Sequence, residues 1–342
     1  MIDSRGLPGY PRRMRYGIQV ANIEWQELRD VAQASEALGF DFLTLPDHIV
    51  YEGPEHQTDP NHLAYDPILQ AAIAAEATKK LRIGHLVLCN LFRHPVITAQ
   101  LIASLDQLSG GRAFLGLGSG WTETEFRMTG IPFPDITARL RMLDESLAVI
   151  RSLWTKEQTT FQGEFYKLQD AILWPKPAQR KPHPKILLGG GGKGLLRVAA
   201  KHADVMNVIS EVGKQGYISI SGMSKFRSDA FRAKVDFVRS EAKARGRDPK
   251  SVAISQVVFQ IMLTESAAAT RSMAEGMAGM FGATPETMQQ VPLVLIGTPE
   301  ECVAEIRRRQ KAWDLSELVL SYSSLGGQQG LRRFAEQVLK HV

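Results

Sequence analysis

The 342-residue sequence predicts an α/β fold, a single (β/α)8 TIM barrel with insertions, and three observations predict it. Apolar strand-like runs alternate with longer helical patterns along the whole chain, eight such strands can be counted, and no serine-, glycine- or proline-rich linker separates two halves of different composition. That alternation demands parallel strands joined by helical crossovers. Eight such units in one chain close naturally into a barrel rather than an open sheet. With 44% hydrophobic and 23% charged residues, the chain can bury a large core.

The first unit is a strand at 16–20 and an amphipathic helix at 24–38 that stops at Gly39. A strand at 42–45 leads to a helix at about 67–79, a strand at 81–88 to a helix at 95–108, and a strand at 112–117 to a helix at 136–154. Over 158–184 aromatic and proline residues, among them Trp174, Pro175, Pro177, Pro182 and Pro184, break the rhythm, and a long surface excursion is expected there. The fifth strand, 185–188, is followed by a glycine run and a helix to His202. A strand at 204–209, helical charge patterning over 225–245 and a strand at 252–263 come next. The last units are a helix at 299–312, opened by Thr298 and Pro299, a strand at 318–321 and a closing helix to Leu339. Segment 264–292, rich in methionine and alanine, is extra to this scheme and is expected to be an insertion in one domain spanning 1–342.

Composition narrows the function classes. Lysine and arginine (41) exceed aspartate and glutamate (36), a net charge of +5, which suits an anionic small molecule or a soluble surface and falls short of a nucleic-acid binder. Cys89 and Cys302 are too few for a disulfide framework or a structural zinc site and are expected to be free thiols. The early arginines precede no apolar core of signal-peptide length, and the apolar run 68–75 is too short to span a bilayer, so a cytoplasmic protein with no membrane partner is expected. No HExxH, GxSxG or clustered His/Cys/Glu pattern is present, and no metal is expected.

In such a barrel, chemistry belongs to loops at the carboxyl ends of the strands. The second strand ends in Asp47-His48, which reads either as a proton-handling pair or as a loop cap beside a packed imidazole. Phe92-Arg93-His94-Pro95 follows the third strand, so Arg93 could face an anionic part of a ligand or sit solvated in a loop. The fourth strand runs into Gly116-Leu117-Gly118-Ser119-Gly120-Trp121, whose glycines permit close approach to a ring or phosphate or simply a tight turn. Its spacing is not that of a dinucleotide-binding fingerprint. The clearest anion site is Gly189-Gly190-Gly191-Gly192-Lys193-Gly194, where glycine N–H groups, a helix N-terminus and a lysine converge without the spacing of a Walker A loop.

Pro-Asp-His after the second strand, LRIGHLVLCNLFRHPVITAQ, GGRAFLGLGSGWTETEF, ILLGGGGKGLLRVAAKHAD and the late LIGTPEECVAEI, in this order over about three hundred residues, resemble the luciferase-like family, in particular its F420-dependent branch. The resemblance implies a bacterial-luciferase-like barrel with an insertion after the seventh strand and a deazaflavin (F420) ring across the barrel mouth, with FMN as the alternative cofactor. It implies that Asp47 and His48 contact the deazaflavin, His48 relaying the proton, and that a non-prolyl cis peptide at Leu86 to Val87 backs the ring. It places Cys89, Ser119, Gly120 and Thr124 along the cofactor, and Gly190, Gly191, Gly192, Lys193 and Gly194 around its phosphate. Sugar-phosphate dehydrogenases of the family carry a glutamate directly after the fourth-strand Gly-x-Gly. Here that position is Trp121, which implies a more apolar substrate pocket, with Arg93 at its edge. The activity implied is hydride transfer between F420 and a small, partly apolar organic molecule, reduction being the leading direction, in a homodimer. An FMN-dependent monooxygenase using dioxygen and a non-catalytic flavin-binding protein are the rivals.

Overall fold

The computed structural model describes residues 13–51, 61–180, 182–211, 222 and 225–342. Its principal sheet takes strands in the order β3-β2-β1-β13-β10-β9-β8-β5-β4. These are β1 (Arg15–Gln19), β2 (Phe42–Leu45), β3 (Arg82–His85), β4 (Leu88–Cys89), β5 (Leu115–Gly118), β8 (Ile186–Gly190), β9 (Val205–Val208), β10 (Ala253–Val258) and β13 (Leu315–Ser321). All pairings are parallel. The order begins on β3 and ends on β4, two halves of one strand interrupted at Leu86–Val87. The sheet therefore closes on itself, the seam made by Leu88 opposite Leu117, Cys89 opposite Gly118 and a bridge from Ile83 to Ala113. Counting β3 and β4 once gives the eight-stranded barrel that the alternation predicts.

Burial explains why these strands read as continuous apolar runs. Every residue of β2, β5 and β9 is buried, because a parallel barrel strand has packed side chains on one face and helices on the other. Helix boundaries follow local chemistry. Asp66 caps the helix Pro67–Ala77 through the N–H groups of Ile68 and Leu69, and Thr298 with Glu301 forms a capping box at the helix Pro299–Trp313. The first helix, Trp25–Ala37, ends where Gly39 takes a φ of +88°.

Two segments differ from expectation. The 158–184 excursion contains an antiparallel hairpin, β6 (Thr159–Gln162) with β7 (Lys167–Ala171), whose turn is held by the Glu145 carboxylate accepting from the N–H groups of Glu164, Phe165 and Tyr166. Lys176 then donates to the Leu153 and Lys156 carbonyls at the C-terminal end of the helix Ile136–Thr155, where a cation is favourable. The strand expected at 252–263 breaks at Phe259 into β10 and a separate β11 (Gln260–Leu263), which pairs in parallel with an unpredicted β12 (Val294–Gly297). Helices Ala267–Phe281 and Pro285–Gln289 make the crossover between them. Arg309, fully buried, donates to the carbonyls of Pro292 and Val294 and pairs with Glu305, fixing this insertion to the helix before β13. Among the described residues, no helix is long and apolar enough to cross a membrane.

Helices Ile136–Thr155 and Lys193–His202 are joined by Asp144, which accepts from His202 Nε2 at 2.9 Å and Lys201 Nζ at 2.8 Å. The His202 hydrogen bond first, and Lys201 with it, holds the Asp144 carboxyl down at about 2. A carboxyl lowered by folding contributes stability above its ordinary value, and that contribution is lost as pH falls through the folded one. An Asp144→Asn variant is therefore expected to be about 1 kcal/mol less stable at neutral pH, a figure discounted because a third of the side chain faces water. Urea titrations at a series of pH values should show the gap closing between roughly 4 and 2; a gap independent of pH would refute the pairing.

Candidate active site

The residues singled out in the sequence leave the carboxyl ends of β2, β4, β5 and β8. Asp47 follows β2 and is buried. Its Oδ2 accepts from the Cys89 N–H at 2.8 Å and from Arg93 Nη1 at 2.6 Å, and its Oδ1 from Arg93 Nη2 at 3.3 Å. Arg93 Nη2 also donates to Asp66 at 2.8 Å. The guanidinium that could have faced a ligand is thus committed to two carboxylates. Burial pushes the Asp47 carboxyl up, while Arg93 and the Cys89 N–H pull it back. Against its own burial, Arg93 is raised by Asp47 and Asp66. A 2.6 Å contact and a raised guanidinium describe an ion pair, with Asp47 a carboxylate at neutral pH. Cys89 is buried and its thiol is pushed up to about 12, chiefly by burial, so it is a neutral contact and not a nucleophile.

His48 stands beside this ion pair with a different partner. Its Nδ1 lies 3.3 and 3.2 Å from the two oxygens of Glu125, a residue 77 positions away on the short helix Glu123–Thr129. Glu125 Oε1 also accepts from the backbone N–H of Ile49 at 2.7 Å and of Val50 at 3.3 Å, and the carboxylate is almost wholly buried. Trp121 and Tyr51 present their rings edge-on to the imidazole at 5.7 and 6.4 Å, and Tyr51 stacks on His62. Side-chain exposure of 21% leaves the imidazole open to a ligand within this aromatic surround. Sequence reasoning missed Glu125. The only local signal was a carboxylate next to Phe126 in a helix turn, where a charge enters the buried face.

The Leu86–Val87 peptide is cis, between the two halves of the third strand. Glycines on the neighbouring strands make room for it: a Cβ on Gly118 would lie 2.7 Å from Val87 Cγ2, and one on Gly189 3.1 Å from Val87 Cγ1. Gly120, at φ +78°, would carry its Cβ within 3.1 Å of the Cys89 sulfur and 3.3 Å of the Phe126 ring, so the backbone after β5 packs closely on the Cys89 side chain. Thr124 is half-buried on the same short helix as Glu125.

The glycine run divides in use. Gly190 is packed against Leu195, Gly194 against Leu140, and Gly191 against the carbonyls of Ile209 and Ser210, each too closely for a Cβ. Gly192 alone faces open space; it is the N-cap of the helix Lys193–His202 and makes no side-chain cap hydrogen bond. Lys193 is exposed. Lys234 Nζ anchors the loop from behind by donating to the Gly191 carbonyl at 2.6 Å. Beside it, the hydroxyl of Ser210 is buried with no hydrogen-bond partner among the described residues. Asn90 Nδ2 and Thr122 Oγ1 are likewise buried and unpartnered next to Cys89 and Trp121 in the chain. An N-terminal helix turn, an open glycine and a spare hydroxyl form a donor set for a phosphate. A groove of about 480 Å³ lined by Arg227, Arg232, Gln290 and Trp313 contains none of these residues and lacks their chemistry.

Comparison with known proteins bears on this site. The family model for luciferase-like monooxygenase matches residues 10–314. An F420-dependent glucose-6-phosphate dehydrogenase of Amycolatopsis mediterranei is 29% identical over 92% of this chain and 93% of its own length. An FMNH(2)-dependent dimethylsulfone monooxygenase of Pseudomonas putida is also 29% identical, over 68% of this chain, which spans 60% of that relative. Among solved structures, an F420-dependent secondary alcohol dehydrogenase in complex with an F420-acetone adduct superposes with a TM-score of 0.76 at 19% identity, covering 96% of this chain and 99% of its own. That likeness establishes the fold.

Proposed function

The chain belongs to the luciferase-like monooxygenase family, and from that membership and the geometry of the barrel mouth we propose an F420-dependent oxidoreductase acting on a small, partly apolar organic substrate. The observation that carries this reading is the half-buried His48 imidazole, held through Nδ1 at the carboxyl end of β2 beside the cis Leu86–Val87 segment. The F420-dependent relative matching 92% of the chain favours deazaflavin over FMN. When bound, F420 supplies hydride chemistry, and the protein supplies orientation and proton management.

The donor set fits such a cofactor. Gly192, the first turn of the following helix, Ser210 and Lys193 would hold its phosphate, while Ser119, Gly120, Thr124, Cys89, Leu86 and Val87 would border its body, with Gly190, Gly191 and Gly194 shaping the loop. Asp47 is then a positioning residue: its ion pair with Arg93 and its bond to the Cys89 N–H tie the β2 and β4 loops together. Trp121 and Tyr51 exclude water around the imidazole and offer an apolar wall to the substrate, which argues against a sugar phosphate. His48 moves the proton that accompanies hydride transfer. The reading includes one barrel domain, a homodimer and a cytoplasmic location.

A side-by-side titration with oxidised F420 and with FMN, followed by fluorescence at several salt concentrations, tests the cofactor. Tight, salt-weakened binding of F420 is the expected result. Preference for FMN would transfer the site to dioxygen chemistry, for which the dimethylsulfone monooxygenase is the precedent among the relatives.

A further inference from the structure

The geometry points to Glu125 as the positioning residue that sets the working tautomer of His48, with the proton on Nδ1 and the lone pair on Nε2. This rests on the proposal that His48 handles the proton of the reaction, and it deepens it by naming the acting atom. A histidine facing a carboxylate through one nitrogen donates from that nitrogen, which leaves the other as the proton-accepting atom. Among the described residues, every hydrogen bond that His48 makes runs through Nδ1, and both partner atoms belong to Glu125.

The orientation of Glu125 is itself fixed. Oε1 takes two backbone donors, Ile49 and Val50, at 2.7 and 3.3 Å, so the shorter imidazole contact, 3.2 Å, falls to Oε2. Buried at the root of a short helix, the carboxylate has little alternative arrangement. The same four contacts hold residues 48–50 as a unit, so tautomer and loop position are set together. In substrate oxidation, Nε2 takes the proton from the substrate heteroatom and the ring becomes an imidazolium whose Nδ1–H still faces the Glu125 charge. In reduction that proton returns to the substrate from Nε2.

The arrangement predicts an unusual outcome for Glu125→Gln. The amide has one carbonyl oxygen, and the two backbone donors claim it. Its NH2 group then lies where Oε2 stood and donates to Nδ1, which forces the ring proton to Nε2. Nitrogen-15 spectra of the histidine rings, recorded on the cofactor-free protein at a pH where the imidazole is neutral, read this directly, with His48→Asn identifying the resonance. The expected result is a protonated Nδ1 and bare Nε2 in the wild type, exchanged in Glu125→Gln. A wild-type ring protonated on Nε2 overturns the proposal without any variant, and an unchanged tautomer in a folded Glu125→Gln protein does so too. F420 titration of the same samples reads the cofactor assignment separately: a wild type that binds no F420 but shows the exchange upholds the role of Glu125 and sinks the F420 reading.

Discussion

A His48→Ala variant is expected to lose turnover by a factor of about 10² to 10⁴, the usual contribution of a positioned proton-transfer group, while still binding F420 as the wild type does. The separation follows from the site's construction. The proposed phosphate contacts come from the helix that starts at Lys193 and from Ser210, on elements that His48 does not touch. The fold should also survive, because Glu125 keeps the Ile49 and Val50 N–H donors when the imidazole is gone. Single-turnover rates of cofactor oxidation, beside fluorescence titration of F420, distinguish a lost proton transfer from a lost site. Turnover within about tenfold of the wild type would remove His48 from the mechanism, and loss of F420 binding would make it a contact instead.

The second large effect is on stability. Arg93→Ala leaves the buried Asp47 carboxylate with only the Cys89 N–H, and removing one partner of a buried ion pair costs about 3 to 5 kcal/mol. The pH dependence has a definite sign. Burial already raises the Asp47 carboxyl, and without the guanidinium nothing of comparable strength opposes it. A group whose folded value lies above its unfolded one contributes stability below the unfolded value and forfeits it as pH rises through the folded one. The variant should therefore gain stability relative to wild type on acidification, the same direction as the closing gap for Asp144→Asn but from the opposite cause, relief of a buried unpaired charge rather than loss of a stabilising one in the wild type. Urea midpoints across the acid range measure this, and a loss below about 1 kcal/mol at neutral pH would mean the pair is solvated and unimportant.

Much of this was legible in the sequence, for identifiable reasons. The eight barrel strands could be read because strands buried on both faces are written as short apolar runs between helical patterns, and β2 and β9 carry that signal in four residues each. Gly39, Thr298 and Pro299 marked helix ends through local chemistry. β12 was not legible as a strand, because its partner β11 lies outside the barrel and its pairing is decided by the insertion's own packing. The glycines misled in part. Gly118, Gly189 and Gly191 are small because protein atoms press on them, and within the run 189–194 it is Gly192 that meets open space among the described residues. Arg93 read as a ligand contact or a solvated loop residue, since nothing near it in sequence announces carboxylates 46 and 27 residues away. Glu125 escaped for the same reason: its meaning exists only once the fold carries it to His48.

The β11–β12 pair has a bearing on how such a protein diversifies. With its own two-stranded parallel sheet and its own helical crossover, segment 260–297 is tied to the frame by Arg309 and Gln256 at Pro292, by Ser324 at Ile261 and by Glu301 at Thr270, and its Val291, Leu293 and Leu295 join the barrel's core. Its methionine-bearing helix packs Met277 and Ala278 into that core and leaves Met273 exposed. Variation at such exposed positions leaves the contacts of Asp47 and His48 in place, so change at the surface of the insertion and the proposed chemistry can be inherited through different stretches of the same gene.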